Sequence, residues 1–536
     1  MQGDMPDLVV VGGGSAGAAL TGRLCAAGVK VVLVEAGGSD RKLRSRVPAL
    51  TSALVQNPRF DWCFDVEPDP SRGGRRDVWP AGKMLGGGSA INGMMFIRGH
   101  RWDYDRWAEL GAAGWDYASV LPYFRRMERN ERGADAWRGG QGPQSVAESR
   151  ARYDVVERWI EAAQNAGVPR SADLNGALAE GVDHVQVSQR DGLRCSSARA
   201  YLEGLPAHQA PQLLLDAQVL RVLVENGRAV GIEFQREGRR RILRSRHGVA
   251  ICAGALNTPR LLMLSGIGDG AALADLGLPV VADLPGVGAN LQDHVGVHIV
   301  NDVAAHTLNA DARGWRGAWQ MLQMMLARKG ALTTAIGHAQ AFVSSRPGPA
   351  PNLQLSFSAF AFDLDGRGRL ALRRNNSVST MVGLMRPDQR GTVRLRSPDP
   401  LAPPIITYHQ LGCADDVEQL IEGIELGRRI LSSAPMAGLV TAELRPGPAA
   451  VEREALRDYV RAASTPMYHP CGTARMGHAA DRRAVLDENL RVRGLGGLWV
   501  ADASVMPTLP AGNTNATAIM IGDKGADHVL AAMAAG

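Results

Sequence analysis

The sequence predicts a mixed α/β protein (α/β with α+β character) that opens on a Rossmann-like βαβ unit. Three observations carry that expectation. An apolar run ends in spaced glycines at the N-terminus. A strand-bearing region of different texture fills residues 296–460. Glycine-rich strand–turn–helix text returns at 494–530.

Leu8 to Val11 are four consecutive apolar residues, as suits a parallel strand covered on both faces. A glycine turn follows at Gly12–Gly14. A helix is expected from about Ser15 to Ala27, closed by Gly28, and then a strand from Lys30 to Val34 with Glu35 at its tip. Residues 37–100 are punctuated by Gly and Pro and read as loop-rich. Two short helices over 102–127 carry Trp102, Trp107, Trp115, Tyr117 and Phe124. Residues 130–145 read as an exposed loop and 153–166 as another helix.

Residues 212–246 alternate in the manner of strands. Leu213–Leu215, Val219–Val224, Ala229–Phe234 and Ile242–Leu243 are separated by Asn226-Gly227, a hairpin signal, and by a basic turn at 236–241. Val249 to Cys252 is a further buried strand. After it come Gly254 and a helix from Thr258 to Leu264, with Pro259 in its first turn and Gly266 past its end. An amphipathic helix from about Asp415 to Leu431 places Val417, Leu420, Ile421, Ile424 and Ile430 at helical spacing.

Composition removes several function classes. At roughly 100–200 residues per domain, the 536 residues suggest two to four domains or one elaborated fold. A net charge of +6 is thin over that length and argues against a nucleic-acid binder. The six cysteines are scattered without metal-ligand spacing, so reduced thiols and no metal site are expected. No apolar stretch is long enough to span a membrane, and the first residues carry Asp4 and Asp7 rather than a signal peptide's positive charge. A cytoplasmic location is expected.

The first chemical signal is Gly12-x-Gly14-x-x-Gly17, framed by a strand and a helix. The acid Glu35 follows at the end of the next strand. Gly12 permits the turn, Gly14 lets backbone approach a pyrophosphate at the helix N-terminus, and Gly17 lets helix and strand touch. Ser15, Ala16 and Ala36 are counted with this cradle. Glu35 suits ribose hydroxyls and would repel a 2′-phosphate. The motif alone leaves NAD and FAD open. A second glycine segment, Gly82 to Gly93, contains Met84, Gly87 and Asn92 and offers backbone to a flat ligand. A third runs from Gly254 to Gly268.

Segments 82–99 and 254–268, together with Gly286–His294 and the C-terminal third, resemble the signature segments of the glucose–methanol–choline (GMC) oxidoreductase family. The resemblance spans essentially the full length. It implies an FAD-binding domain assembled from residues 1–150, 195–295 and 465–536. It also implies an inserted substrate-binding domain, residues 151–194 and 296–464, built on an antiparallel sheet with helices. Asn92, Val219, Asp502 and Ala503 stand where members contact flavin or adenine. Some members attach FAD to a histidine just before the Asn; here that residue is Ile91, so a non-covalent FAD is expected.

Alcohol oxidation needs a base for the hydroxyl proton and an acceptor for hydride. Neutral imidazole suits the first task and flavin the second. By resemblance, the base is His469 of Tyr468-His469-Pro470. Its partner is Asn513, whose amide can donate to a developing alkoxide. Cys471 reads as a buried bystander, His294 and His298 as structural or supporting, and His100 as without chemistry. On the substrate side, His338, Ser356 and Phe357 are candidates. His338 is weighed against a packed, hydrogen-bonded histidine.

Choline-handling relatives place a carboxylate near 336–342, where this chain has His338 and Gln340; choline is therefore disfavoured. The expected activity is FAD-dependent oxidation of a primary alcohol to an aldehyde. Choline or polyol dehydrogenase, oxygen-using oxidase and hydroxynitrile lyase are the alternatives. The expected partners are an alcohol and an electron acceptor (quinone, dye or oxygen), with peripheral membrane contact possible and no nucleic acid.

Overall fold

The computed structural model describes residues 5–364 and 370–535. The Leu8–Val11 strand lies at the centre of a five-stranded parallel sheet ordered Gln212–Leu214, Val31–Val34, Leu8–Val11, Gly248–Ile251, Leu498–Val500. Leu8, Val9, Val10, Leu33, Val249 and Val500 are fully buried, which is why these strands read as unbroken apolar runs. The first helix is Ser15–Ala26, and the last, Asn515–Ala535, packs against it.

Gln212–Leu214 joins this sheet rather than the hairpins that follow it. Those form a three-stranded antiparallel meander, Ala217–Glu225, Arg228–Arg236 and Arg239–Arg244. Its second turn is Glu237-Gly238, so Arg239, Arg240 and Arg241 lie on an exposed edge strand and not in a basic turn.

The second large sheet is antiparallel. Its order is Val440–Arg445, Val295–Val303, Ser377–Leu384, Leu353–Ser358, Ala339–Val343, Gly181–His184, and Thr465–Pro466 also pairs with Val295–Val303. Helices Asp154–Asn165, Ala414–Leu431 and Arg453–Ala463 cover one face. There Trp159, Leu420, Ile421 and Val460 form one core with Val297, Leu355 and Phe357. The opposite face carries Gln340, Phe342, Gln354 and Ser356, because Phe342 pairs with Gln354 and Gln340 with Ser356. Phe342 packs on Ile97 and Ala511, so this face looks toward the loops that carry the candidate chemistry.

Two expectations need correction. The helix expected from Thr258 begins one turn earlier and runs Gly254–Leu264, which puts Pro259 in its interior. Pro259 has no N–H for the Ala255 carbonyl four residues back. The Thr473 hydroxyl donates to that carbonyl instead, at 2.6 Å, so the turn stays satisfied. The loop expected exposed over 130–145 is exposed only in its first half. Gly139, Gly142 and Gln144 are buried, because Gln144–Glu148 pairs with Glu128–Asn130 and Gln186–Val187. All six cysteines are free thiols. Among the described residues, no helix is long and apolar enough to cross a membrane.

Candidate functional site

The glycine-turn end is made of backbone. Gly12 turns at φ +97°, and a Cβ on Gly17 would lie 2.0 Å from the Gly12 carbonyl oxygen. Gly14 precedes the first helix without any side-chain cap, so the first-turn amides of Ser15, Ala16 and Gly17 keep the positive end of the helix open. The second glycine segment sits directly on this turn, since a Cβ on Gly87 would fall 2.6 Å from the Gly14 Cα. The Ser15 hydroxyl donates to Asn515 Oδ1 at 2.7 Å and ties the first helix to the last.

Glu35 accepts from the amides of Gly13 and Gly37, each at 2.9 Å, so it shapes the turn. Burial pushes its pKa up to about 7. Gly13 was not singled out from sequence, although it stands between two glycines that were. Ala36 is half-buried beside Glu35.

Asn92 Oδ1 accepts from Arg194 Nη1 at 2.8 Å and from the Met94 amide at 3.1 Å. Arg194 is 1 % exposed and also donates to the Ser89 carbonyl and the Thr51 hydroxyl. No carboxylate pairs with it among the described residues, and burial lowers its pKa to about 9. Its guanidinium is held by those neutral acceptors. Sequence reasoning missed Arg194, because nothing local connects it to Asn92.

The Met84 side chain packs among Leu54, Phe60, Ala90 and Ile91, so this methionine offers the cradle only backbone. Asp502 accepts from the Gly254 amide (2.8 Å), the Thr258 hydroxyl (2.6 Å) and the Ser504 amide (2.8 Å), which joins the third glycine segment to the C-terminal loop. The Ala503 carbonyl accepts from the Gly472 amide. Val219 lies half-buried on the meander, opposite Phe234.

At the reacting end, Tyr468 adopts φ +62°, and the His469 amide donates to Asp293 Oδ1 at 2.6 Å. These two features fix the backbone that aims the His469 ring. Three contacts then determine its tautomer. His294 Nε2 lies 3.1 Å from the Met385 carbonyl, which can only accept, so Nε2 carries the hydrogen. His294 Nδ1 is therefore an acceptor, and it lies 2.9 Å from His469 Nδ1, which must donate. His469 Nε2 is left as a lone pair, 3.1 Å from Asn513 Nδ2. Burial lowers the His469 pKa to about 4, and burial plus the neighbouring imidazole hold His294 well below the usual histidine range. Both rings are neutral at pH 7. Asn513 Oδ1 is buried without a partner, so the site has an unfilled polar valence at the base.

The other histidines and Cys471 are occupied elsewhere. His298 bonds Ser379, and His100 caps the Arg101–Glu109 helix by accepting from the Trp102 amide. Cys471 is buried, which pushes its thiol far above the range of a nucleophile.

The substrate candidates separate. Ser356 and Phe357 are adjacent on one strand, so they point to opposite faces. Ser356 is on the Phe342 face with its hydroxyl unpartnered, whereas Phe357 stacks on Trp159 at 4.9 Å in the helix-covered core. Phe357 therefore does not face the site. His338 is the packed histidine: Nε2 meets the Thr334 hydroxyl (3.1 Å), Nδ1 accepts from the Ala359 amide (3.3 Å), and the ring lies edge-on to Tyr153 and Phe360. Beside Ser356, Gln354 donates to Gln340 at 2.6 Å and keeps its own Oε1 unpartnered.

Two family models described as GMC oxidoreductase match the chain, one over residues 6–296 and the other over 387–522. The chain is 39% identical over 532 residues to the oxygen-dependent choline dehydrogenase of Rhizobium rhizogenes, covering 98% of this chain and 95% of that protein. Among solved structures it is similar to pyridoxine 4-oxidase from Mesorbium loti, at 27% identity and a TM-score of 0.87 over 97% of this chain and 98% of that one. It is also similar to a fungal aryl-alcohol oxidase, at 27% identity and a TM-score of 0.84 over 99% of both chains.

Proposed function

The chain belongs to the GMC oxidoreductase family, and on that premise we propose that His469 and Asn513 carry the oxidation of a neutral primary alcohol. The protein is an FAD-dependent oxidoreductase acting on an alcohol group. The residues that would hold FAD are the Gly12–Gly17 turn with Ser15 and Ala16, Glu35 and Ala36, Gly87, Asn92 backed by Arg194, Val219, and the Asp502–Ala503 backbone. The backbone of Met84 completes the set. Residues 1–150, 195–295 and 465–536 form this part, and 151–194 with 296–464 the substrate part. When bound, FAD supplies an acceptor for hydride from the carbinol carbon.

The observation that carries the reading is the three-contact order Met385 carbonyl–His294–His469–Asn513. The alcohol enters at the bond between His469 Nε2 and Asn513 Nδ2. Its hydroxyl proton passes to Nε2 and its oxygen accepts from the amide; transfer of hydride from the carbinol carbon to FAD, when bound, would complete the oxidation to an aldehyde. His294 takes no proton. It accepts from Nδ1–H and strengthens that bond as His469 becomes cationic. On the adjoining sheet face Gln340, Phe342, Gln354 and Ser356 are neutral, and Asp183, the carboxylate in register with Gln340, is held by Arg170 at 2.8 Å, which supports an uncharged substrate over choline.

The test is anaerobic addition of aliphatic, aryl and polyol alcohols, with choline alongside, while the flavin's visible absorbance is followed. Neutral primary alcohols should bleach it, and oxygen or a quinone analogue should restore it. Bleaching by choline alone would overturn the substrate class. Cyanohydrin cleavage with the flavin still coloured would overturn the redox reading.

A further inference from the structure

The Gly314–Ala327 helix is built inside out. A surface helix normally turns its apolar stripe to the core. Here Gly317, Gln320 and Gln323 are partly covered, Met324 is buried, and Gln320 Oε1 accepts from the Ala331 amide at 2.8 Å. The outward side is apolar: Trp315 is 76% exposed, Trp319 51%, Met325 76% and Leu326 79%, with Met321 and Leu322 between them. Of the ten tryptophans in the chain, Trp315 and Trp319 alone are exposed. Contiguous apolar surface of this kind marks a binding face.

The charge around the helix selects what covers it. Arg313 and Arg316 flank the helix at its start, Arg328 and Lys329 at its end, and no Asp or Glu occurs from 312 to 362. None of the four cations forms an ion pair among the described residues; Arg313 holds only the carbonyls of residues 372–374. A stripe of tryptophan, methionine and leucine bordered by unpaired cations matches a bilayer, where rings settle at the headgroup level and cations meet anionic lipid. A second copy of this chain would bring the same cations face to face.

The patch continues toward the site. Past the short Ala331–Thr333 turn, Ile336 is 55% exposed, and it lies so close over Gly93 that a Cβ there would fall 2.9 Å from it. Gly93 follows Asn92 directly.

We propose that the Gly314–Ala327 helix is an interfacial anchor that lays this protein on an anionic lipid surface, with the Asn92–Gly93 side of the molecule turned toward the lipid. The inference does not depend on which alcohol is oxidised. It is tested on the purified holoprotein by co-sedimentation with vesicles of phosphatidylcholine alone or mixed equally with phosphatidylglycerol. Binding to the mixed vesicles should exceed binding to the neutral ones by about tenfold or more and weaken with added salt.

The variant Trp315→Ser/Trp319→Ser/Met325→Gln/Leu326→Gln should lose binding to both vesicles while keeping its flavin spectrum and alcohol bleaching. Arg316→Glu/Arg328→Glu/Lys329→Glu should lose only the preference for anionic vesicles. Wild-type protein left in the supernatant with both vesicle types overturns the proposal. So does a quadruple variant that sediments like wild type, or a face that merely joins two copies, seen as a dimer that the quadruple variant splits and that binds no vesicle.

Discussion

The glycine cradle at Gly12–Gly17 and the imidazole pair His294–His469 are both held still, and they use different materials. At the cradle, the constraint is space: Gly17 and Gly87 each sit where a methyl group would strike backbone at 2.0 and 2.6 Å. At the imidazole pair, the constraint is direction. Each ring nitrogen has one partner, and the order of donors turns the His469 Nε2 lone pair toward Asn513. Crowded backbone tolerates no added atom but carries no proton. A directed hydrogen-bond chain tolerates replacement by any group with the same donors and acceptors.

That contrast predicts a double dissociation. His469→Ala should lower turnover by about 10²–10⁴ with flavin content unchanged, measured as kcat and as flavin per protein. Gly17→Val should lose the flavin itself, along with thermal stability, since its side chain has no room beside the Gly12 carbonyl. A His469→Ala protein purified colourless, or a Gly17→Val protein with full flavin, would break the comparison.

Asn513→Ala should cost less than loss of the base, about tenfold to hundredfold in kcat, the equivalent of one or two hydrogen bonds. The pH profile sharpens the point further. His469 must be neutral to accept a proton, and burial lowers its pKa from 6.5 to about 4. Activity should therefore hold above that lowered value and fall only as the pH drops through it, so kcat/KM should show an acid limb well below 6.5.

His294→Phe frees the His469 tautomer and should lower the plateau about tenfold, a loss of about 1.4 kcal/mol. His294→Gln should recover most of it, because an amide both accepts from Nδ1–H and donates to the Met385 carbonyl. Equal loss in both variants would mean that His294 only fills space. The smallest effect expected is in stability. Thr473→Val strands the Ala255 carbonyl opposite Pro259 and should cost about 1–2 kcal/mol in unfolding while flavin binding persists.

The cradle could be read from the sequence because its parts are neighbours in the chain: strand, turn, helix and acid fall within residues 8–35. The reacting pair was legible only through family resemblance. His294 and His469 are 175 residues apart, and nothing in either segment states that their Nδ1 atoms meet. Arg194 stayed hidden for the same reason, 102 residues from Asn92. Phe357 was excludable in principle, since strand alternation forbids it the face that Ser356 occupies. Pro259 misled because its helix-breaking effect is cancelled by a hydroxyl contributed from Thr473. The Gly314–Ala327 helix went unread in the sequence, and periodicity alone could not have said which way its apolar stripe faces.

The parallel sheet beneath the cradle takes its central strand from residue 8 and its last strand from residue 500. A ribosome must make all the chain between Val11 and Leu498 before that edge exists. Until then, Gly248–Ile251 has an open flank, and the Ala255 carbonyl awaits Thr473. The protein cannot mature piecemeal from its N-terminus as a string of independent domains does. C-terminally shortened products should be insoluble rather than partly active.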